Sequence, residues 1–222
     1  NYQASILDLN QVILRSHKSI QKFEATISKG NSIHSWGSWK IGDGGLIDPS
    51  GIAIDTDGMA YVADQNTDQI HKFDFNGKFI TSWGSYGSSS EVWQLNNPSG
   101  IAIDGNSYVY VVDSGNHRIQ VFDLNGKFLT SFREPWGSYG SGKWLLSHPS
   151  GIAIGPFGDI YVADSGNGRI QTYYLQAHPD GYSYFQRRDS WKIDDDELID
   201  PAGIAVDTDG NVYVADQNTD QI

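Results

Sequence analysis

The stretch PSGIAID at residues 98–104, together with YVVD at 110–113, decides the fold of this 222-residue chain. Two apolar runs joined by a turn are typical of paired antiparallel strands. The pattern continues with RIQVFD at 118–123 and KFLTSF at 127–132, on either side of an Asn-Gly turn. Asn-Gly between two alternating runs is the strongest short signal for a hairpin. This part of the chain is therefore predicted to form four short antiparallel strands.

The same unit occurs four times, beginning at Pro49, Pro98, Pro149 and Pro201 with spacings of 49, 51 and 52 residues. A four-stranded sheet that repeats at this interval is typical of a propeller blade, because one blade alone cannot bury both of its faces. We predict an all-β fold, a single β-propeller domain of about four and a half blades. Its units are divergent N-terminal strands at 1–38, blades near 49–86, 98–132 and 149–186, and a half-blade at 201–222.

Composition excludes several classes of function. The net charge is −12 and the pI is about 4.6, which disfavours nucleic-acid binding because phosphates require clustered Lys and Arg. The chain has no cysteine, so disulfides, thiolate zinc sites and cysteine nucleophiles are excluded. No apolar run is long enough to span a membrane. The chain begins with Asn1 and has Met59 as its only methionine, and we expect it to be processed, clipped or produced as a piece of a longer protein. Because it is acidic with few lysines, we expect it to be extracellular or at the cell surface.

The repeat resembles the NHL-repeat β-propeller family. The resemblance rests on Pro-x-Gly-Ile-Ala-Ile-Asp followed by Val-Tyr-Val-x-Asp-Ser-Gly-Asn-x-Arg-Ile-Gln, and residues 98–132 and 149–175 match it best. The blades that begin at Pro49 and Pro201 depart from it, with Gln69 and Gln221 in the arginine position. Members of the family bind RNA, bind proteins, sense ligands or act as lyases, so the resemblance implies the fold and leaves the function open. The repeat residues expected to hold the blades together are Asp64, Asp113, Asn116, Arg118, Asp164, Asn167, Arg169 and Asp216.

Residues 39–70 and 191–222 are near-copies that differ at seven of 32 positions. The first copy continues into a further hairpin, whereas the second stops at Ile222, which predicts a half-blade with an unpaired edge. Residues 6–16 resemble the hairpin at 121–131. They could supply the two strands that the half-blade at 201–222 lacks. Three explanations stay open: closure within one molecule, completion by a neighbouring molecule, or a piece cut from a longer array. The candidate assembly residues are Ile6, Leu7, Leu9, Val12, Ile13, Leu14, Val212, Tyr213, Val214 and Ile222.

Acidic residues and histidines could suggest a metal site, but a structural role explains them better. The repeated strand-end aspartates suit turn and arginine contacts, with calcium as the alternative. Residues 55–58 and 207–210 (Asp-Thr-Asp-Gly) lack the further ligands of a calcium loop. The acidic run at 194–197 is predicted to be a solvated loop. The six histidines lie on separate segments, and we expect no metal and no other cofactor.

The connections between blades are rich in aromatic residues. We expect these side chains to be buried between blades, and the alternative is an exposed set that binds a glycan or a peptide. The candidate loop residues are Trp83, Tyr86, Trp93, Trp136, Tyr139, Trp144, Tyr182 and Trp191.

The resulting expectation is a non-catalytic scaffold for protein–protein contact, with copies of itself as the partner. Self-assembly would proceed head to tail by strand complementation of the incomplete blade. The alternative is a ligand-binding or sensor propeller that uses the aromatic loops. A metal-dependent, lyase-like enzyme is the third possibility.

Overall fold

The computed structural model describes residues 40–41, 44–88, 93–132, 140–142, 145–177, 183–191 and 200–217. Within these residues the chain forms three four-stranded and two two-stranded sheets, all of them antiparallel. Two short 3-10 turns, Ser114–Asn116 and Ser165–Asn167, are the other regular elements in this part of the chain.

The strands follow one another in chain order within each sheet. A short ladder of β1 (Lys40–Ile41) and β2 (Gly44–Gly45) precedes the first blade. The first blade consists of β3 (Pro49–Ile54), β4 (Ala60–Asp64), β5 (Gln69–Phe73) and β6 (Phe79–Trp83). The second consists of β7 (Pro98–Ile103), β8 (Val109–Asp113), β9 (Arg118–Phe122) and β10 (Phe128–Phe132). The third consists of β11 (Gly151–Ile154), β12 (Ile160–Asp164), β13 (Arg169–Ala177) and β14 (Ser183–Trp191). The last sheet contains β15 (Pro201–Val206) and β16 (Val212–Asp216).

The Asn-Gly hairpins form as predicted, and an aspartate holds each of them. Asp74 Oδ1 accepts hydrogen bonds from the backbone N–H groups of Asn76 and Lys78, at 2.9 and 2.8 Å. Gly77 has φ of 79°, a conformation that glycine adopts without steric penalty. The second blade repeats this turn with Asp123 as the acceptor.

Each blade packs its first strand on the first strand of the next blade: β3 on β7, β7 on β11 and β11 on β15. A glycine makes each approach possible. A Cβ atom on Gly51 would lie 2.5 Å from the carbonyl oxygen of Ser99, and one on Gly100 would lie 2.9 Å from that of Ser150. The glycine that recurs at positions 51, 100 and 151 is therefore required by the short distance between successive blades.

Among the described residues, three of the four clusters of buried apolar side chains lie between blades, and the fourth lies on one face of the first blade. One cluster joins the first and second blades and contains Tyr61, Ile70, Ile101 and Phe122. Corresponding clusters join the second blade to the third and the third to the last sheet. Since a four-stranded sheet has two apolar faces, only stacking of successive blades buries both.

These observations confirm the predicted propeller of four-stranded antiparallel blades. Two sequence-based assignments need correction. The third blade extends beyond residue 186, where the predicted blade ends, because its last strand β14 covers Ser183–Trp191. Trp83 also lies in a strand, at the end of β6. The divergent N-terminal strands predicted at 1–38 lie outside the described residues.

Candidate functional site

The strand-end aspartate of the second blade is at the centre of a buried hydrogen-bond network. Asp113 accepts hydrogen bonds from Arg118 Nε at 2.7 Å, Gln120 Nε2 at 2.9 Å and Asn116 Nδ2 at 3.0 Å. The backbone N–H of Asn96, in the connection from the first blade, donates another at 2.7 Å. Burial raises the pKa of the Asp113 carboxyl, and the donors from Asn116 and Arg118 act in the opposite direction. The carboxylate thus joins the blade to the incoming connection.

The third blade repeats this network residue for residue. Asp164 accepts from Arg169 Nε at 2.7 Å, Gln171 Nε2 at 2.8 Å and Asn167 Nδ2 at 2.9 Å. The backbone N–H of Ser147 takes the place of that of Asn96, also at 2.7 Å. A network reproduced with the same residues in two blades belongs to the repeat itself and not to a single site.

The first blade and the last sheet keep the aspartate but change its partners. Asp64 accepts a hydrogen bond from the backbone N–H of Ile47 at 2.7 Å, and Asp216 accepts one from that of Asp200 at 3.2 Å. Gln69, which replaces the arginine, donates to the carbonyl oxygen of Gly84 at 3.2 Å. All four aspartates therefore bind backbone groups of the connection that enters their own sheet.

A histidine replaces the network glutamine in the first blade. His71 occupies the position of Gln120 and Gln171, and it is buried. Its Nε2 atom is 3.1 Å from Thr67 Oγ1, and its Nδ1 atom has no hydrogen-bond partner among the described residues. Burial lowers the pKa of His71, and the negative charge of Asp64 opposes this effect. The first blade consequently contains a buried imidazole that resists protonation.

The two Asp-Thr-Asp-Gly stretches are turns. Asp55 accepts hydrogen bonds from the backbone N–H groups of Asp57 and Met59 and from the Tyr61 hydroxyl, between 2.9 and 3.0 Å. Burial and the hydrogen bond to Asp55 raise the pKa of the Tyr61 hydroxyl. Asp207 makes the matching contacts in the last sheet. In the described part of the chain, no group of three or more His, Asp or Glu side chains is arranged to hold a metal ion.

The aromatic residues of the first connection divide into buried and exposed side chains. Trp83 is half-buried and packs edge-on against Tyr61, with ring centroids 6.0 Å apart, and against Phe122 at 6.1 Å. Tyr86 and Trp93 are 72% and 48% exposed. Trp83 therefore joins two blades, whereas Tyr86 and Trp93 are available to a ligand. Trp191 lies in β14, and the other predicted loop residues lie outside the described residues: Trp136, Tyr139, Trp144 and Tyr182.

One sheet face differs from its equivalents in the other blades. Tyr213 is 47% exposed, although the corresponding Tyr61 and Tyr110 are 0% and 1% exposed. Ala205 and Ala215 are exposed as well, whereas the corresponding alanines of the first blade are buried. We call this surface the open face; its residues are Gly203, Ala205, Tyr213 and Ala215.

The open face includes only one of the assembly residues named from the sequence. Val212 and Val214 point to the opposite side of the last sheet, where they pack with Ile204 against the third blade. Their part in strand complementation stays a prediction, because an added strand would pair with the backbone groups of β16 and not with these side chains. Ile222 and the N-terminal candidates between Ile6 and Leu14 lie outside the described residues. The period-two alternation along β15 and β16 could have identified the missed residues, since Gly203, Ala205 and Ala215 share the face of Tyr213.

Comparison with known proteins supports the fold. The NHL repeat family model matches residues 95–122, 146–173 and 198–222, which confirms the resemblance noted in the sequence. No curated protein matches the chain. No helix in the described residues is long and apolar enough to cross a membrane.

Several solved structures resemble the chain at low identity. A nidogen/laminin complex matches with a TM-score of 0.55 and 20% identity, over 78% of this chain and 57% of that one. A gluconolactonase from Xanthomonas campestris matches with a TM-score of 0.53 and 18% identity, over 75% of this chain and 55% of that one. A catalytically inactive virginiamycin B lyase from Staphylococcus aureus with quinupristin matches with a TM-score of 0.52 and 17% identity, over 76% of this chain and 49% of that one. The chain thus spans about half the length of the structures it matches.

These neighbours overturn one prediction. The chain was expected not to be an enzyme, but a lyase and a gluconolactonase share its fold. At such low identity the similarity establishes the architecture alone. Because this architecture supports catalysis in other proteins, the fold gives no reason to exclude an enzymatic function for this chain.

Proposed function

We propose that this chain, which belongs to the NHL-repeat β-propeller family, is a scaffold for protein–protein contact that associates with further copies of itself. The association is by strand complementation, in which a strand of one copy extends a sheet of another.

The observation that carries the proposal is the difference between the last sheet and the three blades. In each blade the second strand pairs on both sides, as β4 does with β3 and β5. Among the described strands, β16 pairs only with β15. An edge strand with free N–H and C=O groups is a template for an added strand.

The sequence suggests which strands would be added. Residues 191–222 nearly copy residues 39–70, and in the first copy β5 and β6 come next in the chain. A hairpin of the same type therefore fits β16. Residues 6–16 resemble the corresponding hairpin of the second blade, and we propose them as the donor from a neighbouring copy. Such a contact is head-to-tail and generates closed rings or open chains.

The first experiment measures the mass of the full chain by sedimentation velocity over a range of concentrations. The expected result is a mass that increases with concentration. Leu9→Asp combined with Ile13→Asp should return the chain to a monomer, because charged side chains do not pack on an apolar sheet. A chain that is monomeric at every concentration would contradict the proposal.

A competing peptide tests strand addition directly. A peptide of residues 66–85 contains the hairpin that follows β4, with Ile70 and Phe73 as its buried side chains. It should bind the full chain and reduce its association. The matched control carries Ile70→Asp and Phe73→Asp and should do neither. Equal inhibition by both peptides would argue against pairing at β16.

A second candidate function rests on the exposed aromatic pair. Leu95 and Ser85 are joined by a backbone hydrogen bond of 2.9 Å, which supports the segment that carries Tyr86 and Trp93. Exposed aromatic rings on a rigid loop suit stacking on a sugar or contact with a peptide. Titration with glycans and peptides, followed by tryptophan fluorescence, should give a saturable signal that Trp93→Ala abolishes.

A further inference from the structure

We propose that His117 and His148 form a switch that loosens the contact between the second and third blades in mild acid. The switch lies within one chain, so it does not depend on the proposed association between copies. It is at the point where the connection entering the third blade meets the turn between β8 and β9.

One hydrogen bond joins the two blades at this point. The backbone N–H of His148, in the connection entering the third blade, donates to Nδ1 of His117 at 3.0 Å. Because this nitrogen accepts a hydrogen bond, the proton of the neutral ring is on Nε2. The two rings also touch edge to face, with centroids 4.3 Å apart and an angle of 84° between their planes. The neutral form of His117 is therefore the one that makes the contact.

The first and second blades are joined at the equivalent position by a different acceptor. Asp68 directly precedes β5, as His117 precedes β9, and Asn97 and His148 each precede the proline at the start of a repeat. The backbone N–H of Asn97 donates to Asp68 Oδ1 at 2.7 Å. All four residues have a positive φ, between 42° and 54°. The two contacts thus share their backbone geometry and differ in the group that accepts the hydrogen bond.

The two acceptors respond differently to a proton. A protonated imidazole has a donor at each nitrogen and no acceptor, so protonated His117 would place an N–H group against the N–H of His148. A carboxyl group keeps an acceptor oxygen in either protonation state, so Asp68 can hold Asn97 throughout the range in which histidines gain charge. Acid should therefore open the contact between the second and third blades and leave the one between the first and second closed.

The surroundings of His117 favour its neutral form and still admit protons. Burial lowers the pKa of His117 and the neighbouring His148 lowers it further, whereas the negative charges of Asp113 and Asp164 act in the opposite direction. Each of these carboxylates is 2.7 Å from the Nε atom of an arginine of its own blade. His117 is half-buried and His148 is exposed, so the pair can be protonated without unfolding of the chain. Positive charge on both rings would add repulsion across the contact.

Amide hydrogen exchange, followed by NMR, compares the two contacts within one protein. Between about pH 7.5 and about pH 5, the protection of the His148 amide should fall by about three- to tenfold after correction for the intrinsic exchange rate, which is the range expected for loss of one hydrogen bond. The protection of the Asn97 amide should change by less than about twofold, because its acceptor is retained.

Exchange of the two acceptors makes the test specific. His117→Asn supplies an amide oxygen as the acceptor, and asparagine tolerates the positive φ of this position. The acid sensitivity of the His148 amide should then disappear. Asp68→His should transfer the sensitivity to the Asn97 amide. His71→Gln, which changes a histidine outside the contact, is the matched control and should leave the acid sensitivity of the His148 amide as it is in the unmodified chain.

Two results would overturn the inference. If the His148 and Asn97 amides lose protection in parallel, acid loosens the whole fold and not this contact. If the His148 amide stays acid-sensitive in His117→Asn, His117 is not the switch. Should Asp68→His fail to fold, the comparison of His117→Asn with the unmodified chain decides the matter alone.

Discussion

Arg118 donates a hydrogen bond from Nε to Asp113 Oδ2 at 2.7 Å, and both side chains are buried. A buried ion pair of this kind contributes little net stability relative to apolar residues, but removal of one partner leaves the other charge unpaired. The same pair recurs between Arg169 and Asp164. Stability of the propeller should therefore depend strongly on these few polar residues.

Asp113→Ala should lower the free energy of unfolding by about 3 to 5 kcal/mol, because it leaves the buried donors of Arg118, Asn116 and Gln120 unpaired. Chemical denaturation measures the effect. Asp57→Ala, which removes an exposed carboxylate from a turn, is the matched control and should change it by less than about 0.5 kcal/mol. Equal losses from both variants would contradict the structural role of Asp113.

Gly51→Ala should destabilise the chain by about 1 to 3 kcal/mol, since its methyl group would overlap the carbonyl oxygen of Ser99. Gly105→Ala is the control, because a Cβ atom there would have no neighbour within 4 Å. Melting temperatures of the two variants provide the comparison. An unchanged melting temperature for Gly51→Ala would show that the blades are less closely packed than described.

Trp83→Ala should destabilise the chain by about 3 kcal/mol, because it removes the ring that packs on Tyr61 and Phe122 across a blade junction. Tyr86→Ala, in the same connection but with an exposed side chain, should have almost no effect. Urea unfolding curves distinguish the two. If Tyr86→Ala were the more damaging change, the division between buried and exposed aromatic residues would be wrong.

Acid should weaken the fold through two imidazoles, the buried His71 and the half-buried His117. The pKa values of His71 and His117 are both lowered from 6.5, chiefly by burial. A histidine whose pKa is lower in the folded state than in the unfolded state stabilises the folded state above pH 6.5. This contribution is lost as the pH falls through the pKa of the histidine in the folded state. The free energy of unfolding should therefore decrease below about pH 6.5, as measured by denaturation at a series of pH values.

His71→Gln provides the matched variant, since glutamine occupies this position in the second and third blades. It should be less sensitive to acid than the unmodified chain and should not lose stability at neutral pH. In those blades the amide group donates to the strand-end aspartate. Parallel pH profiles for the two proteins would mean that His71 does not contribute.

Much of the fold could be predicted from the sequence because its causes are local. Alternating apolar residues define the strands, and Asn76-Gly77 and Asn125-Gly126 define hairpins through their own backbone preferences. Trp83 and Trp191 were assigned to connections because a tryptophan followed by Gly or Lys gives no local sign of where a strand ends. The contacts that retain Trp83 in β6 come from Tyr61 and from Phe122 in another blade.

The open face shows most clearly what the local sequence cannot predict, which is the burial of a strand. Residues 61–64 and 213–216 have the same sequence, Tyr-Val-Ala-Asp, and form the same type of strand. Tyr61 is completely buried and Tyr213 is 47% exposed. The sequence by itself determined that both tetrapeptides form the second strand of a repeated sheet. Only the tertiary structure decided which of them has a neighbouring blade, because burial depends on what packs against a strand and not on the residues within it.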